Sequence, residues 1–392
     1  EQRGTGHAVM VAREHIARDG DLMILNADLP LLRGDVLAAF LAAHRQSGAA
    51  LSLLTTRPPD PTGYGRVVRD GDAVRRVVEH RDADEKTRAI DEINCGVYVG
   101  RAADLLDALD RLDTDNAQGE YYLTDVIEIL DREGKPVRAV CHDDAREVLG
   151  VNDRRELAEA FDILRRRKLD DLMDSGVTVL DPERTYIDPR ASVGRDTVIY
   201  PDVWIEGDSD VGESCEIRPN VHLRNVRLGN GVLIKNGCVA EQTEIGDGAQ
   251  VGPFAHLRPG TSLGERTKIG NFVETKKAVF GPGSKASHLS YLGDAELGAG
   301  VNVGAGTITC NYDGEAKHLT VLEDGVFIGS DTQLVAPVRV GKGAYVGAGS
   351  TVCEDVPPGA LALTRVRQQN IEGWVERRKE KKQAGKKTGK KP

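Results

Sequence analysis

The chain has 392 residues and a formal charge of −10; 40% of its residues are hydrophobic but only 4% are aromatic, which asks for two or three domains with aliphatic cores. Residues 373–392 hold nine Lys/Arg against two Glu, so the remainder carries −17, which excludes a nucleic-acid or anionic-membrane binder. Six scattered cysteines without a C-x-x-C pair exclude a zinc ribbon or disulfide framework and fit a reducing cytoplasm, and no run of 18 apolar residues is present to span a membrane.

The chain opens at Glu1 without Met or a signal-peptide pattern, and its first residues read like the middle of a domain. From there to about residue 150, apolar strands alternate with helical segments, the signature of an α/β layer fold. Asp21–Asn26 reads as a buried strand, with Asp28-Leu29-Pro30-Leu31 as the turn at its C-terminal end, where ligands of open α/β sheets collect. Asp28 can hold a cation there, although spacing alone favours a turn residue before Pro30. Further elements follow: a helix over Val36–Gln46, strands over Ala50–Thr56, Val74–Glu79 and Ile93–Val99, and helices over Asp104–Leu112 and Val126–Asp131. Asp153–Ser175 is an amphipathic helix that reads as an arm between domains, with Gly176 as its stop and Asn152 as its N-cap.

Beyond it an aliphatic residue returns every sixth position: Val193, Ile199, Ile205, Val211, Ile217 and Leu223; Ile245, Val251, Leu257, Leu263 and Ile269; Leu322, Ile328, Leu334, Val340, Val346 and Val352. A period of six fits neither a helix nor a half-buried strand. It is the hexapeptide repeat of a parallel β-helix, whose coils bury their apolar side only against neighbouring coils. Two breaks interrupt it, His288–Asp294 and Gly304–Thr320, and such excursions map to loops on the binding face. The tail from Glu376 is low in complexity and reads as disordered.

His222, His256 and His288 all fall on the β-helix, so a trimeric zinc hydratase of the γ-carbonic-anhydrase type is one reading, but no local ligand pair supports it. His288 opens a break beside Tyr291, where a neutral imidazole suits a general base; a structural histidine bonded to a turn carbonyl is the other reading. Arg258, Lys276, Lys277 and Arg365 are candidate phosphate ligands or solvated surface cations.

The run of Gly4-Thr5-Gly6-His7-Ala8, Asp28-Leu29-Pro30-Leu31, Asp60-Pro61-Thr62-Gly63-Tyr64-Gly65-Arg66, Asn116-Ala117-Gln118-Gly119-Glu120-Tyr121-Tyr122 and Gly150-Val151-Asn152 resembles a sugar-phosphate uridylyltransferase. Asn271-Phe272-Val273-Glu274-Thr275-Lys276-Lys277, Gly293-Asp294-Ala295-Glu296, Gly304–Gly314 and Gly329-Ser330-Asp331-Thr332 extend the match. Together they resemble the bacterial bifunctional N-acetylglucosamine-1-phosphate uridylyltransferase/glucosamine-1-phosphate N-acetyltransferase family over nearly the whole chain. The resemblance implies a Rossmann-like α/β nucleotidyltransferase over residues 1–152, a linker helix over 153–176, a left-handed parallel β-helix over 177–372, a basic tail over 373–392 and a cytoplasmic homotrimer. It implies acetyl transfer from acetyl-CoA to glucosamine 1-phosphate with His288 as base, and Arg258, Lys276, Tyr291 and Asn302 on the sugar phosphate. Asn311, Tyr312, Ser330, Ala348 and Arg365 would hold acetyl-CoA. Uridylyl transfer from UTP to N-acetylglucosamine 1-phosphate would use Mg²⁺ on Asp28 and Asn152, overturning the turn and cap readings, with Gln2, Gly4, Thr5, Gly65, Glu79, Asn94 and Asn152 on the substrates.

One departure from the pattern is large. The family's opening strand and Gly-rich loop, L-x-A-G-x-G-T-R-M, are not in this sequence, and a Gly-rich loop cradles phosphate with its backbone N–H groups. The expectation is therefore that uridylyl transfer by these 392 residues is impaired while acetyl transfer stands. A regulatory or assembly subunit without catalysis is the alternative from another class, and the Gly304–Gly314 break with His288 weighs against it.

Overall fold

The computed structural model describes residues 2–387, and the chain divides into two compact units, residues 1–164 and 165–392. The first unit contains α1 (Thr5–Ala12), β1 (Asp21–Ile24), α2 (Gly34–Ser47), β2 (Leu51–Thr56), β3 (Arg66–Asp70), β4 (Ala73–Val78), β5 (Ile93–Arg101), α3 (Ala102–Leu109), α4 (Asp125–Arg132) and β6 (Val137–His142). The sheet runs β4-β3-β5-β2-β6, with β1 also paired to β5; β2 and β6 are parallel, while β5 runs antiparallel to β1, β2 and β3. Helices cover both faces of β2. Leu51 and Leu53 pack with Leu105, Leu109, Ile127 and Leu130 of α3 and α4, and Leu54 packs with Phe40 of α2. A strand covered on both faces has no solvent side, which is why β2 reads as an apolar run without alternation.

β1 departs from the expected buried strand. It is four residues long and only half-buried, because β5 is its one strand partner among the described residues. Sequence periodicity did not reveal α1, β3 or β6, whose apolar residues are too few or too mixed with charge to set a period.

α2 turns one ionisable group into the sheet. His44 is 3% exposed; its Nδ1 lies 2.9 Å from Ser52 Oγ and its Nε2 3.9 Å from Asp21 Oδ1. Burial pulls its pKa below the ordinary 6.5, against the opposing pull of the Asp21 charge. The unfolded chain therefore binds this proton at a higher pH than the folded one does. Stability from neutral His44 is complete above about pH 6.5 and is lost as pH falls through the lower folded value. The melting temperature should drop between about pH 7.5 and about pH 5.5 more steeply in the native chain than in His44→Gln. Parallel melting-temperature slopes for the two proteins would show that His44 is not responsible.

The second unit is a parallel β-helix. Eleven short strands stack in one sheet from Thr178–Val179 to Leu361–Ala362, and the remaining faces form a 17-stranded path. Ile199, Ile217, Ile234, Val251 and Ile269 are successive partners in the first sheet, each one coil of 17 or 18 residues beyond the last. All of the hexad aliphatics named above lie in one buried cluster, so the six-residue period is the shaft itself.

The two breaks behave differently from expectation. His288–Asp294 leaves no loop, since Lys285–His288 and Tyr291–Leu297 are both strands. The shaft positions step by five from Thr275 to Phe280 and again from Leu292 to Leu297, and a seven-residue strand runs straight through each of these two corners. In the second break Thr309 stays in the shaft on the strand Ile308–Cys310, and only residues 311–319 leave the coil.

The helix over 153–176 is α5 (Arg154–Asp174), and it is more than an arm: Leu169 and Leu172 join the β-helix core, while Gly176, at φ 98, ends it as expected. In the tail, α6 (Trp374–Lys387) replaces the expected disorder, with exposed side chains through 384; its Lys, Arg, Glu and Gln are strong helix formers. Residues 388–392 of that tail lie outside the described residues. Among the described residues no helix is long and apolar enough to cross a membrane.

Candidate functional site

Two sites take shape, one in each unit. In the first unit a cavity of about 400 Å³ lies at the end of β1. Thr5, Asp28, Gly65, Glu79, Asn94 and Asn152 all line it, so six of the expected contacts converge. Gln2 and Gly4 do not line it. Gly4 serves a close approach instead: at φ 103, a Cβ there would sit 2.6 Å from the Tyr121 carbonyl oxygen. That clasp, with the Gly6 and Tyr121 N–H groups donating to the Tyr121 and Arg3 carbonyls at 2.8 Å, brings Thr5 to the cavity wall.

Asn152 is not the N-cap of α5. Asp153 takes that role, its Oδ1 accepting from the Arg155 and Glu156 N–H groups at 2.8 and 2.9 Å. Glu156 reaches back to the Asn152 N–H at 2.5 Å and the Asp153 N–H at 3.3 Å, completing a capping box. The Asn152 side chain is therefore not used in capping and lines the cavity with Asp28, whose carbonyl accepts the Val151 N–H at 2.9 Å. Glu79 accepts from Thr124 Oγ1 at 3.1 Å, and burial pushes its carboxyl up despite that bond. Asn94 donates to Tyr98 Oη at 2.6 Å and accepts the Gly96 N–H at 3.2 Å, which fixes its amide. Asn26 and Tyr64 also line the cavity, and sequence reading missed both because polar turn residues carry no periodic signal.

The lining holds three carboxylates, Asp28, Glu79 and Glu156, and no Lys or Arg. Such a wall suits sugar hydroxyls, and a phosphate enters it only with a compensating cation. A carboxylate oxygen and an amide oxygen are hard donors of the kind Mg²⁺ takes when phosphates and water complete its shell.

The second site lies on the β-helix. Strand Lys268–Asn271 pairs with Lys285–His288 and sets Asn271 opposite His288. Gly270 permits that approach, because a Cβ there would collide with the Ser287 carbonyl oxygen. His288 is exposed, with Nδ1 3.0 Å from Asn271 Oδ1. An amide oxygen can only accept, so Nδ1 is the donor in this pair, and in a neutral ring that leaves Nε2 as the nitrogen with the lone pair. Among the described residues its ring bonds a side-chain amide and no turn carbonyl.

Arg258 and Lys276 follow the paired residues Leu257 and Thr275 on adjacent coils, and Arg258 holds Glu274 Oε1 at 2.7 Å. Lys276 is joined by a cation that sequence reading missed, Lys317. The neighbouring Lys317, and after it Arg258, lowers the Lys276 pKa, as expected for ammonium groups crowded side by side. Lys317 is the single Lys or Arg in residues 304–320, the one signal that would have found it. Tyr291 lies over Gly293, where a Cβ would strike its hydroxyl. Asn311 is buried, its Nδ2 donating to Asp294 Oδ2 at 2.5 Å. Asn302 belongs to a different sheet from Lys276 and Tyr291. It stands on the Lys285–Asn302–Phe327 ladder of the adjoining sheet.

From His288 a file of small residues runs along one corner of the coils. The Gly306 N–H donates to the His288 carbonyl at 3.4 Å, Asp331 N–H to Ala305 at 2.7 Å and Gly349 N–H to Ser330 at 2.8 Å. Arg365 donates to the Ala348 carbonyl at 2.8 Å and closes the file. Ala305, Ser330 and Ala348 leave a shelf of four coil steps, about 19 Å at about 4.8 Å per step, ending on a guanidinium. Tyr312 and Lys277 are exposed beside this region. The zinc-hydratase reading finds no ligand set, since His222 and His256 face Glu206 at 2.5 Å and Glu241 at 3.9 Å. Among the described residues no group of three or more His, Cys, Asp or Glu side chains is placed to hold a metal ion.

Residues 1–213 match the family model described as nucleotidyl transferase, and residues 242–277 and 319–354 match the bacterial transferase hexapeptide model. The bifunctional protein GlmU of Pelobacter propionicus is 51% identical over 383 residues, covering 97% of this chain and 83% of the relative. That of Geobacillus sp. is 50% identical over 379 residues, covering 96% and 82%. Among solved structures, the UDP-N-acetylglucosamine acyltransferase of Bacteroides fragilis aligns with a TM-score of 0.36 at 19% identity, covering 50% of this chain and 76% of that one. UDP-glucose pyrophosphorylase bound to UDP-glucose aligns at 0.32 and 14% identity, covering 43% and 64%.

Proposed function

This chain belongs to the family of the bifunctional protein GlmU, which makes it a transferase with a nucleotidyltransferase and an acetyltransferase domain, and we propose which residues carry each reaction. The acetyl group passes from acetyl-CoA to glucosamine 1-phosphate, and the product then receives a uridylyl group from UTP. The observation that carries the first assignment is His288, held by Asn271 with Nε2 free at the head of the small-residue file.

For acetyl transfer, the file of Ala305, Ser330 and Ala348 receives the thin arm of acetyl-CoA, and Arg365 meets its phosphates, with Asn311 and Tyr312 alongside. Lys276, Lys317 and Arg258 take the phosphate of glucosamine 1-phosphate, whose charge relieves their mutual repulsion. Tyr291 and Asn302 complete the sugar contacts. His288 Nε2 removes a proton from the 2-amino group as nitrogen attacks the thioester carbonyl. The new C–N bond forms, the C–S bond breaks, and the proton passes from His288 to the departing sulfur.

For uridylyl transfer, Asp28 and Asn152 hold Mg²⁺, which when bound neutralises phosphate charge. Glu79, Asn94 and Gly65 receive the sugar, and Thr5, with Gln2 and Gly4 before it, borders the nucleotide. The sugar phosphate oxygen attacks the α-phosphorus, and pyrophosphate leaves.

The partner is two further copies of the chain, with acetyl-transfer sites between neighbouring β-helices. Phe254, Phe272 and Leu289 support this: they are 55%, 56% and 63% exposed at the corner next to His288, an apolar ridge fit for protein contact. The compartment is the cytoplasm, consistent with six free cysteines.

Thiol release from acetyl-CoA, dependent on glucosamine 1-phosphate, tests the acetyl-transfer reading, and pyrophosphate release from UTP and N-acetylglucosamine 1-phosphate with Mg²⁺ tests the second. No substrate-dependent thiol would overturn the first reading. An active monomer in sedimentation equilibrium would overturn the trimer.

A further inference from the structure

We infer that His318 is a positioning residue for acetyl transfer, clasping Asp313 so that the 311–319 hairpin holds Lys317 beside Lys276. This deepens the acetyl-transfer reading and rests on it. Tyr312 and Lys317 form an antiparallel bridge, and the His318 N–H donates to the Asn311 carbonyl at 2.8 Å. Asp313 ties the tip. Its Oδ1 accepts the Glu315 and Ala316 N–H groups at 2.8 and 2.7 Å, and its Oδ2 lies 2.6 Å from His318 Nε2. These bonds, the Ala316 N–H first and His318 next, hold the Asp313 carboxyl well below the ordinary range.

Two features make the clasp necessary. The hairpin has no core of its own: residues 312–317 and 319 are exposed, with Tyr312 at 60% and Leu319 at 41%. A segment without buried apolar side chains keeps its shape only through polar bonds. Lys317 is also held against Lys276, and two ammonium groups repel until an anion arrives. The Asp313–His318 bond joins the tip to the leg that bears Lys317, so it opposes that repulsion. His318 itself meets no reacting atom in this arrangement; it acts through Lys317.

The test compares His318→Leu, which cannot bond Asp313, with His318→Gln, whose amide can still donate to it. His318→Leu should raise KM for glucosamine 1-phosphate about tenfold, the scale of one charge-assisted contact, and leave kcat within about twofold. His318→Gln should restore most of the loss. The amide of residue 318 should exchange with solvent faster in the leucine variant than in the glutamine variant. An unchanged KM in His318→Leu, or equal losses in both variants, overturns the clasp while the acetyl-transfer reading stands. If the native chain transfers no acetyl group, that reading fails, and exchange still judges the clasp: equal protection in both variants would refute it.

Discussion

Replacing His288 with alanine is expected to lower kcat for acetyl transfer about 10²–10⁴-fold, the range lost when a general base is removed. The fold should survive. His288 is exposed at the end of a strand, takes no part in the aliphatic shaft, and its one side-chain bond is to Asn271, so its removal opens no cavity. KM for glucosamine 1-phosphate should change little, because the cations assigned to its phosphate are Lys276, Lys317 and Arg258. Initial rates with both substrates saturating, alongside a thermal melt, make the measurement. A variant that keeps nearly full kcat at neutral pH would remove His288 from the chemistry.

The second large effect is expected from the smallest change near the site, Gly270→Ala. Gly270 precedes Asn271 on the strand that pairs with Lys285–His288, and a Cβ there would run into the Ser287 carbonyl oxygen. Neither side can yield cheaply: the obstacle is backbone, and Ile269 and Ala286 beside it are locked in the shaft. Overpacking of this kind costs about 1–3 kcal/mol, so the melting temperature should fall. The strands must also part where Asn271 meets His288, and a displacement of about 1 Å at a reacting group can cost about 10²-fold in rate. Both losses should therefore appear together, with kcat falling far more than KM rises. A Gly270→Ala protein with native melting and native kcat would show that the two coils have slack at this point.

Much of the solenoid was legible because its rule is local. Every hexad aliphatic that set the period is buried in the one core, and a six-residue repeat needs no knowledge of distant residues to be recognised. The α/β unit was legible in part. Covered strands such as β2 and β5 read plainly, while half-buried β1 read as longer and more buried than it is, since sequence does not tell how many neighbours a strand has. Spacing alone reads Asp28 as a turn, Asn152 as a cap and His288 either way; the structure puts Asp28 and Asn152 on one cavity and pairs His288 with Asn271.

What the sequence by itself determined, then, is the aliphatic shaft, the α/β class of the first unit and the two places where the six-residue period breaks. Only the tertiary structure decided who stands beside whom. Asn271 reaches His288, and Lys317 reaches Lys276, across coils whose register depends on two shortened corners and one nine-residue hairpin. Asn152 faces the cavity because Asp153 and Glu156 cap the helix in its place, a choice made by side-chain bonds over one helical turn. A period fixes which residues point inward, but pairs on the outer surface of a coil are set by how many residues each corner spends. That number shows only when the coils are stacked.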